Sequence, residues 1–193
     1  TSMPKIVDHE ERRAAIARGA VEAIAKYGIH KVTMIKFAEA GGCTEGMVNY
    51  YFDNKDHVLQ AALEQVIEST KERLEQAIQA NPNDLEGLLL QTLPINETVQ
   101  KEFCVWRDFW QRARDSRALQ ETQARWIKDW VAGISGFIEQ AKATGEFRQD
   151  LDVQLEAEML ATYVGSWGFS VLKRHNPLQP PWLLASSGVL TSS

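Results

Sequence analysis

The strongest constraint on the fold is a pair of adjacent glycines, Gly41 and Gly42, which separates two short helical patterns in residues 33–59. Glycine adopts the positive φ that ends a helix and turns the chain, so neither pattern can run through the pair. Thr33 and Thr44 stand where each helix would begin, and a threonine hydroxyl at that position caps free backbone N–H groups. Two short helices joined by such a turn form a helix–turn–helix, whose second helix can enter the major groove of DNA.

The same segment resembles the DNA-binding domain of the TetR family of bacterial repressors. The resemblance is carried in one ungapped window by Thr33, Phe37, Ala38, Gly42, Thr44, Gly46, Val48, Tyr51, Phe52, Lys55 and Val58. It implies an all-α chain, with an N-terminal three-helix helix-turn-helix DNA-binding domain followed by a C-terminal helical domain for ligand binding and dimerisation. We therefore predict a DNA-binding domain in residues 1–54, an effector-binding and dimerisation domain in 55–175, and an irregular tail in 176–193.

The starts of the helices indicate which residues contact DNA phosphates. Free N–H groups at a helix N-terminus attract anions, so Thr33, Thr44 and Lys55 are predicted phosphate anchors. Tyr51 is predicted to pack its ring and to offer its hydroxyl to a phosphate. The resemblance assigns contacts with bases and sugar–phosphate groups to the exposed side of the second helix, at Glu45, Met47, Asn49 and Tyr50. Two interpretations of Glu45 stay open, since it could accept a hydrogen bond from a cytosine amino group or simply point away from DNA.

The net charge of −5 lies entirely outside the predicted DNA-binding part. Residues 1–56 carry eight Lys/Arg and eight Asp/Glu, whereas residues 57–193 carry thirteen and eighteen. Only charges near phosphates release counterions, so a neutral domain can still bind DNA through a local basic face. We expect its affinity for non-specific DNA to be modest.

Outside the turn, the apolar periodicity predicts helices and no strands. The predicted helices span, approximately, residues 8–27, 55–79, 85–93, 97–114, 117–144 and 152–175. No Ser/Gly-rich linker separates the two parts of the chain, so the helix over 55–79 is predicted to join them and to transmit a tilt from one to the other.

Aromatic residues concentrate in the C-terminal part, where we predict a ligand site formed by Phe103, Trp106, Phe109, Trp110, Trp126, Trp130 and Trp167. An aromatic stripe at helical spacing is often plain core, but five of the six tryptophans fall here, and such side chains also line cavities. The W-x-x-F-W pattern of Trp106, Phe109 and Trp110 resembles the branch of the family that contains the choline-sensing repressor BetI. That resemblance implies a small-molecule effector, with a quaternary ammonium ion such as choline as a candidate through cation–π contact.

We also predict a two-fold homodimer formed by the last two long helices, about 117–144 and 152–175. Their apolar stripes leave surplus apolar surface on a single chain. Small residues recur along the last helix at a spacing that lets another helix approach closely, namely Ala157, Ala161, Gly165 and Gly168.

Several classes of site are excluded by what the sequence lacks. There is no P-loop, G-x-S-x-G or dinucleotide motif, and the four histidines lie in separate segments, so neither catalysis nor a metal or cofactor is predicted. Cys43 and Cys104 are predicted to be free thiols. Three acidic residues near the aromatic stripe, Glu102, Asp108 and Asp129, could help to bind a quaternary ammonium ion, but they are predicted instead to form a solvated face. No apolar run reaches the roughly 18–20 residues that span a bilayer, so we expect a cytoplasmic protein without a membrane partner.

The predicted function is sequence-specific transcriptional regulation by a repressor that binds double-stranded operator DNA and is released by a small-molecule effector. One alternative is an enzyme or carrier with a vestigial reading motif, which the retained phosphate anchors disfavour. Another is an architectural DNA protein without a ligand, which the acidic, aromatic C-terminal part disfavours.

Overall fold

The computed structural model contains eight α-helices within residues 5–82 and 84–172, the part of the chain that the structure describes. The helices are α1 (Lys5–Tyr27), α2 (Met34–Ala40), α3 (Glu45–Tyr51), α4 (Lys55–Ala80), α5 (Leu85–Leu90), α6 (Glu97–Ala113), α7 (Arg117–Ala143) and α8 (Val153–Leu172). No strand occurs among these residues, and the predicted all-α class is confirmed. Side chains are described for residues 9–82, 84 and 86–166, and the predicted tail over 176–193 lies outside the described residues.

Helix α5 is shorter than predicted, because the chain tightens before Pro94. The Thr92 N–H donates to the Leu89 carbonyl at 3.0 Å, and the Leu93 N–H donates to the Leu90 carbonyl at 3.4 Å. These bonds span three residues rather than four, as in a 3₁₀ turn, and they satisfy donors that a continued α-helix would otherwise use.

The helix–turn–helix is formed by α2 and α3 and follows the predicted caps. Thr33, Thr44 and Asn54 are the N-caps of α2, α3 and α4, and each side chain accepts from the backbone N–H three residues later, at 3.4, 3.3 and 3.0 Å. Gly42 in the turn has φ +63°, which is the conformation that glycine permits.

The position of the helix–turn–helix against α1 depends on a close backbone contact that the sequence pattern does not indicate. Gly19 of α1 lies directly against the end of α2, where a Cβ atom on Gly19 would be 2.5 Å from the backbone nitrogen of Gly41. Only a glycine in α1 lets the two backbones come so close. The contact places the turn, and therefore α3, against the first helix.

The main core runs without a break across the predicted domain boundary at residue 54. It joins the first four helices to α6 and the start of α7 through buried side chains that include Ile16, Ile24, Phe37, Val48, Leu59, Leu63, Val105, Phe109 and Leu119. The DNA-contact helices are thus packed on the helix that begins the C-terminal part. A second, smaller cluster joins α7 to α8 through Ile134, Ile138 and Ala157.

The small residues of α8 were expected to face a second copy of the chain, but those with described surroundings pack against helices of their own chain. Ala157 is fully buried against Ile134 and Ile138 of α7, and Ala161 packs at the same place. A Cβ atom on Gly165 would lie 3.8 Å from Cη2 of Trp110 on α6. The small residues therefore allow α8 to approach its own chain, and Gly165 is not on an open surface for a second copy. Gly168 lies where side chains are not described.

None of the helices in the described residues is long and apolar enough to cross a membrane.

Candidate DNA-contact face and aromatic cavity

Helix α3 turns its apolar side inward and leaves a polar and aromatic side in solvent. Val48 is fully buried and Phe52, the C-cap residue, is 2% exposed. The outer side carries Glu45, Asn49 and Tyr50, and Tyr50 is 74% exposed. The exposed groups are thus a carboxylate, an amide and a phenol, which can hydrogen-bond to base edges or to the sugar–phosphate backbone.

Two residues predicted to contact DNA are partly buried. Met47, predicted on the exposed side, packs against the main core, and so does Tyr51. The Tyr51 ring centroid lies 4.6 Å from that of His9 in α1 and 5.1 Å from that of Tyr50, edge to face. His9 therefore braces both tyrosines. The local sequence pattern of α1 does not indicate this contact, because the two tyrosines lie on another helix.

The predicted phosphate anchors lie at the starts of three successive helices. Thr33 and Thr44 are exposed caps. Lys55 is half-buried, and its Nζ donates to the Ile29 carbonyl at 3.4 Å, in the loop between α1 and α2. Lys55 thus also fixes this loop to the start of α4, a structural role in addition to the predicted contact with phosphate.

The C-terminal part contains a partly open cavity of about 480 Å³ between α4, α6, α7 and α8. Five of the seven aromatic residues predicted as a ligand site line it, namely Phe103, Trp106, Trp110, Trp126 and Trp130. The Trp106 and Trp126 centroids are 4.0 Å apart at 46°, and the Trp126 and Trp130 rings are parallel within 9° at 5.9 Å. Trp106 is also part of the main core, so the aromatic stripe forms both core and cavity wall.

The other two predicted ligand residues are not placed in this wall. Phe109 is fully buried in the main core, with its ring 6.4 Å from that of Trp106 and nearly perpendicular to it. It shares a helix with Trp106, but its position on α6 places it in the main core and outside the cavity wall. The side chain of Trp167 lies outside the described residues.

The prediction of a solvated acidic face is wrong for two of its three members. Glu102 and Asp108 are 5% and 3% exposed, whereas Asp129 is exposed. Both faces of α6 are covered by other helices, so its carboxylates need partners inside the protein. Glu102 accepts from Arg73 of α4 at 2.8 and 2.6 Å and from Ser69 at 3.1 Å.

The second buried carboxylate connects α6 to the DNA-contact part. Asp108 Oδ2 accepts from the Ile29 N–H at 2.6 Å, and its Oδ1 accepts from Arg107 at 3.0 Å. One helical turn later, Nε of Arg112 donates to Asp56 in the first turn of α4 at 2.8 Å. Helix α6 therefore holds the α1–α2 loop and the start of α4 with one of its faces and lines the cavity with another.

Sequence reasoning missed much of the cavity wall. Besides the aromatic residues, α4 contributes Thr70 and Arg73, the segment after α5 contributes Thr92, and α8 contributes Gly165 and Glu158. These residues share no spacing along the chain, and only the packing of the helices brings them together.

Cys43 and Cys104 are free thiols, as predicted. Burial raises the pKa of both thiols, so little of either is thiolate at neutral pH. Neither cysteine has the low pKa of a reactive nucleophile.

Comparison with known proteins supports both halves of this description. Residues 16–62 match the family of bacterial regulatory proteins called tetR, and residues 82–169 match the C-terminal part of BetI-type transcriptional repressors. The transcriptional regulator PksA of Bacillus subtilis is 26% identical over 165 residues, which cover 84% of this chain and 79% of that protein.

Two solved structures show the same fold. A TetR-family regulator from Rhodococcus sp. has a TM-score of 0.75 and 28% identity, covering 95% of this chain and 100% of that one. A regulator from Saccharomonospora viridis in complex with choline has a TM-score of 0.77 and 23% identity, covering 86% of this chain and 88% of that one. With both of its parts matched, the chain belongs to the TetR family of DNA-binding transcription regulators, which are not enzymes.

Proposed function

We propose that this protein is a homodimeric transcriptional repressor that a small molecule, bound in the aromatic cavity, releases from its operator. The observation that carries the proposal is the double role of α6. Trp106 and Trp110 of this helix line the cavity, while Asp108 and Arg112 hold the DNA-contact part.

A ligand can weaken DNA binding only if it binds more tightly to the conformation that does not fit the operator. A molecule in the cavity that displaces α6 would pull on the Ile29 N–H through Asp108 and on Asp56 through Arg112. The first of these contacts lies just before the start of α2, and the second lies just after α3. A shift of α6 would therefore change the orientation of the helix–turn–helix. Allosteric coupling of this kind is typically worth about 1–3 kcal/mol.

On DNA, the residues divide into two roles according to their places on the helices. Lys55 and Tyr51 position the protein on the phosphate backbone, while Asn49 and Tyr50 on the exposed side of α3 select the sequence. An asparagine amide can pair with adenine through two hydrogen bonds, which is the commonest way in which this side chain distinguishes bases.

An apolar row on α8 supports dimerisation. Leu155, Met159 and Tyr163 follow the i, i+4, i+8 spacing and are 53%, 58% and 48% exposed. Such a row on a long helix is typical of a surface that a second copy covers. A two-fold dimer would place two α3 helices for two half-sites of an operator.

Two chemical classes of effector suit a cavity walled by tryptophans. Apolar molecules would gain from burial against the indole rings. Quaternary ammonium ions, the class of the choline bound in the Saccharomonospora viridis structure, would gain from cation–π contact.

The test is to measure tryptophan fluorescence and operator affinity together across a compound panel that includes choline, betaine aldehyde and apolar molecules. An effector should change both signals at the same concentration. Gly165→Leu would place its side chain in the cavity and should abolish the response while operator binding persists. Gly165→Ala is the matched control, because its Cβ atom makes an ordinary contact with Trp110 at 3.8 Å. A response that survives Gly165→Leu unchanged would contradict the site.

A further inference from the structure

We propose that the cavity selects uncharged, largely apolar molecules over quaternary ammonium ions, because Arg73 neutralises Glu102, the buried carboxylate in its wall. The inference rests on the proposed function and narrows the class of effector. It depends on the charges that line the cavity and on the way in which its indole rings pack.

Both carboxylate oxygens of Glu102 accept hydrogen bonds from neighbouring side chains of the protein. Its Oε1 accepts from Nη1 of Arg73 at 2.8 Å and from the Ser69 hydroxyl at 3.1 Å, and its Oε2 accepts from Nη2 of Arg73 at 2.6 Å. The Glu102 side chain is 6% exposed and that of Arg73 is 21% exposed. The two-pronged geometry is the strong form of this ion pair, so the pair contributes no net charge to the cavity.

The other carboxylate among the described lining residues cannot supply the missing charge from inside. Glu158 lies on the exposed edge of α8, and its Oε1 accepts from Gln154 at 2.6 Å. A carboxylate in water attracts a cation weakly, because solvent and salt screen the interaction.

Three of the lining tryptophans, Trp106, Trp126 and Trp130, also do not form a cage for a cation between their rings. A cage needs ring faces that stand apart on either side of the ammonium group, with the group up to about 6 Å from each centroid. Here Trp106 and Trp126 lie 4.0 Å apart, and Trp126 and Trp130 lie 5.9 Å apart and parallel. The gaps between these three rings are therefore too narrow for a trimethylammonium group.

An ammonium ion that enters this cavity would lose hydration without meeting an unpaired buried carboxylate among the described lining residues, and it would approach the guanidinium of Arg73. Both effects disfavour the cation. A neutral molecule loses little hydration and gains the full benefit of burial against the rings.

The experiment uses the full chain and three competitors that share one alkyl tail: octan-1-ol, octyltrimethylammonium and octanoate. The reporter is N-phenyl-1-naphthylamine, a neutral dye that brightens in apolar cavities and accepts energy from nearby tryptophans. For the wild type, the alcohol should displace the dye at a concentration at least about tenfold lower than either ion, because the buried charges in the cavity wall, Arg73 and Glu102, are paired with each other.

Charge variants separate this effect from the hydrophobicity of the competitors. Arg73→Gln leaves the Glu102 carboxylate unpaired. The concentration of octyltrimethylammonium that displaces the dye, relative to that of octan-1-ol, should therefore fall about tenfold or more. Glu102→Gln leaves the Arg73 guanidinium unpaired. The concentration of octanoate that displaces the dye, relative to that of octan-1-ol, should therefore fall. The double variant removes both charges and should restore the preference for the alcohol. The double variant leaves no unpaired buried charge and should therefore fold. Its selectivity can be measured even if a melting experiment shows that a single variant is unfolded.

The outcomes distinguish the inference from the proposed function. If octyltrimethylammonium competes as well as the alcohol in the wild type, or if the two single variants, Arg73→Gln and Glu102→Gln, leave the wild-type ratios unchanged, the inference is overturned while the cavity remains a proposed effector site. If the dye does not bind and none of the three compounds changes tryptophan fluorescence, the proposed function fails, and the inference fails with it.

Discussion

The two functional regions of this chain are built in opposite ways. In the DNA-contact region, which comprises α1–α3 and the first half of α4, the interior is filled, and the candidate contact residues lie outside it on α3. In the proposed effector region, from the second half of α4 to α8, the candidate site is a partly open cavity of about 480 Å³ between the helices. A filled interior resists added atoms, whereas a hollow one can accept a molecule. The two regions should therefore respond oppositely to substitutions that add volume.

The largest effect is expected where the filled region is tightest. Gly19→Val would drive its side chain into the backbone of Gly41 and Ala40, where even a Cβ atom lies 2.5–2.6 Å from its neighbours. Because backbone atoms cannot move aside, we expect a loss of about 3 kcal/mol or more in the free energy of unfolding, with loss of operator binding. Urea unfolding and operator titration measure both.

Two glycines of the effector region are the controls for that substitution. A Cβ atom on Gly133 of α7 meets nothing within 4 Å, and one on Gly165 meets only Trp110 at 3.8 Å. Alanine at either helical position should leave the free energy of unfolding unchanged or raise it by up to about 1 kcal/mol. If Gly19→Val were tolerated as well as these alanines, the contrast between a filled and a hollow region would be wrong.

A smaller effect is expected from a substitution on the outer surface of the proposed effector region. Met159→Arg adds a charge to the exposed apolar row of α8 and should give folded monomers. Losing the second half-site contact should weaken operator binding by about a hundredfold or more. Sedimentation and operator titration would show it, with Gln76→Arg on the exposed side of α4 as the matched control. A dimer of unchanged mass would show that the row is not the dimer surface.

The same contrast explains what the sequence could and could not predict. The caps Thr33 and Thr44 and the turn at Gly42 depend on neighbours within a few residues, so spacing alone predicts them. The Arg73–Glu102 pair and the approach of Gly19 to Gly41 join distant helices, and they require the packed structure.

The spacing of apolar residues also does not determine how a helix is rotated about its own axis. Trp106 and Phe109 lie almost one turn apart on α6, and both were predicted to line the ligand site. In the structure Trp106 lines the cavity, whereas Phe109 is fully buried in the main core and does not line it. Since α6 is covered on both faces, its apolar pattern alone does not show which neighbour each residue contacts.

The connection between the two regions provides the next prediction. Asp108→Ala leaves the Ile29 N–H without its acceptor, which should lower the free energy of unfolding by about 1–3 kcal/mol. The variant should still bind effector, as tryptophan fluorescence would show, but its operator affinity should respond far less to the effector. By linkage, operator DNA should equally lose its influence on effector affinity. Asp129→Ala, at an exposed position of α7, is the control. Full coupling in Asp108→Ala would mean that α6 acts on the DNA-contact region through other contacts.

The last prediction separates two roles within the DNA-contact region itself. Asn49 is exposed on α3, so Asn49→Ala should cost about 1–3 kcal/mol on the preferred operator and leave binding to scrambled DNA nearly intact.

Lys55, at the start of α4, is the counterpart of Asn49, because it is expected to contact phosphate rather than bases. Lys55→Ala should weaken binding to all sequences alike and reduce the salt slope by about one unit of log K per log salt for each protomer. It should also lower the free energy of unfolding by about 0.5–1.5 kcal/mol, because the Ile29 carbonyl loses its bond from Nζ. Comparing the wild-type and variant salt slopes separates this structural loss from the loss of a phosphate contact, since only the phosphate contact changes the slope. If Lys55→Ala weakened binding with an unchanged slope, the ammonium group would serve the α1–α2 loop alone. A changed sequence preference in Lys55→Ala, with none in Asn49→Ala, would place a different face of the motif in the groove.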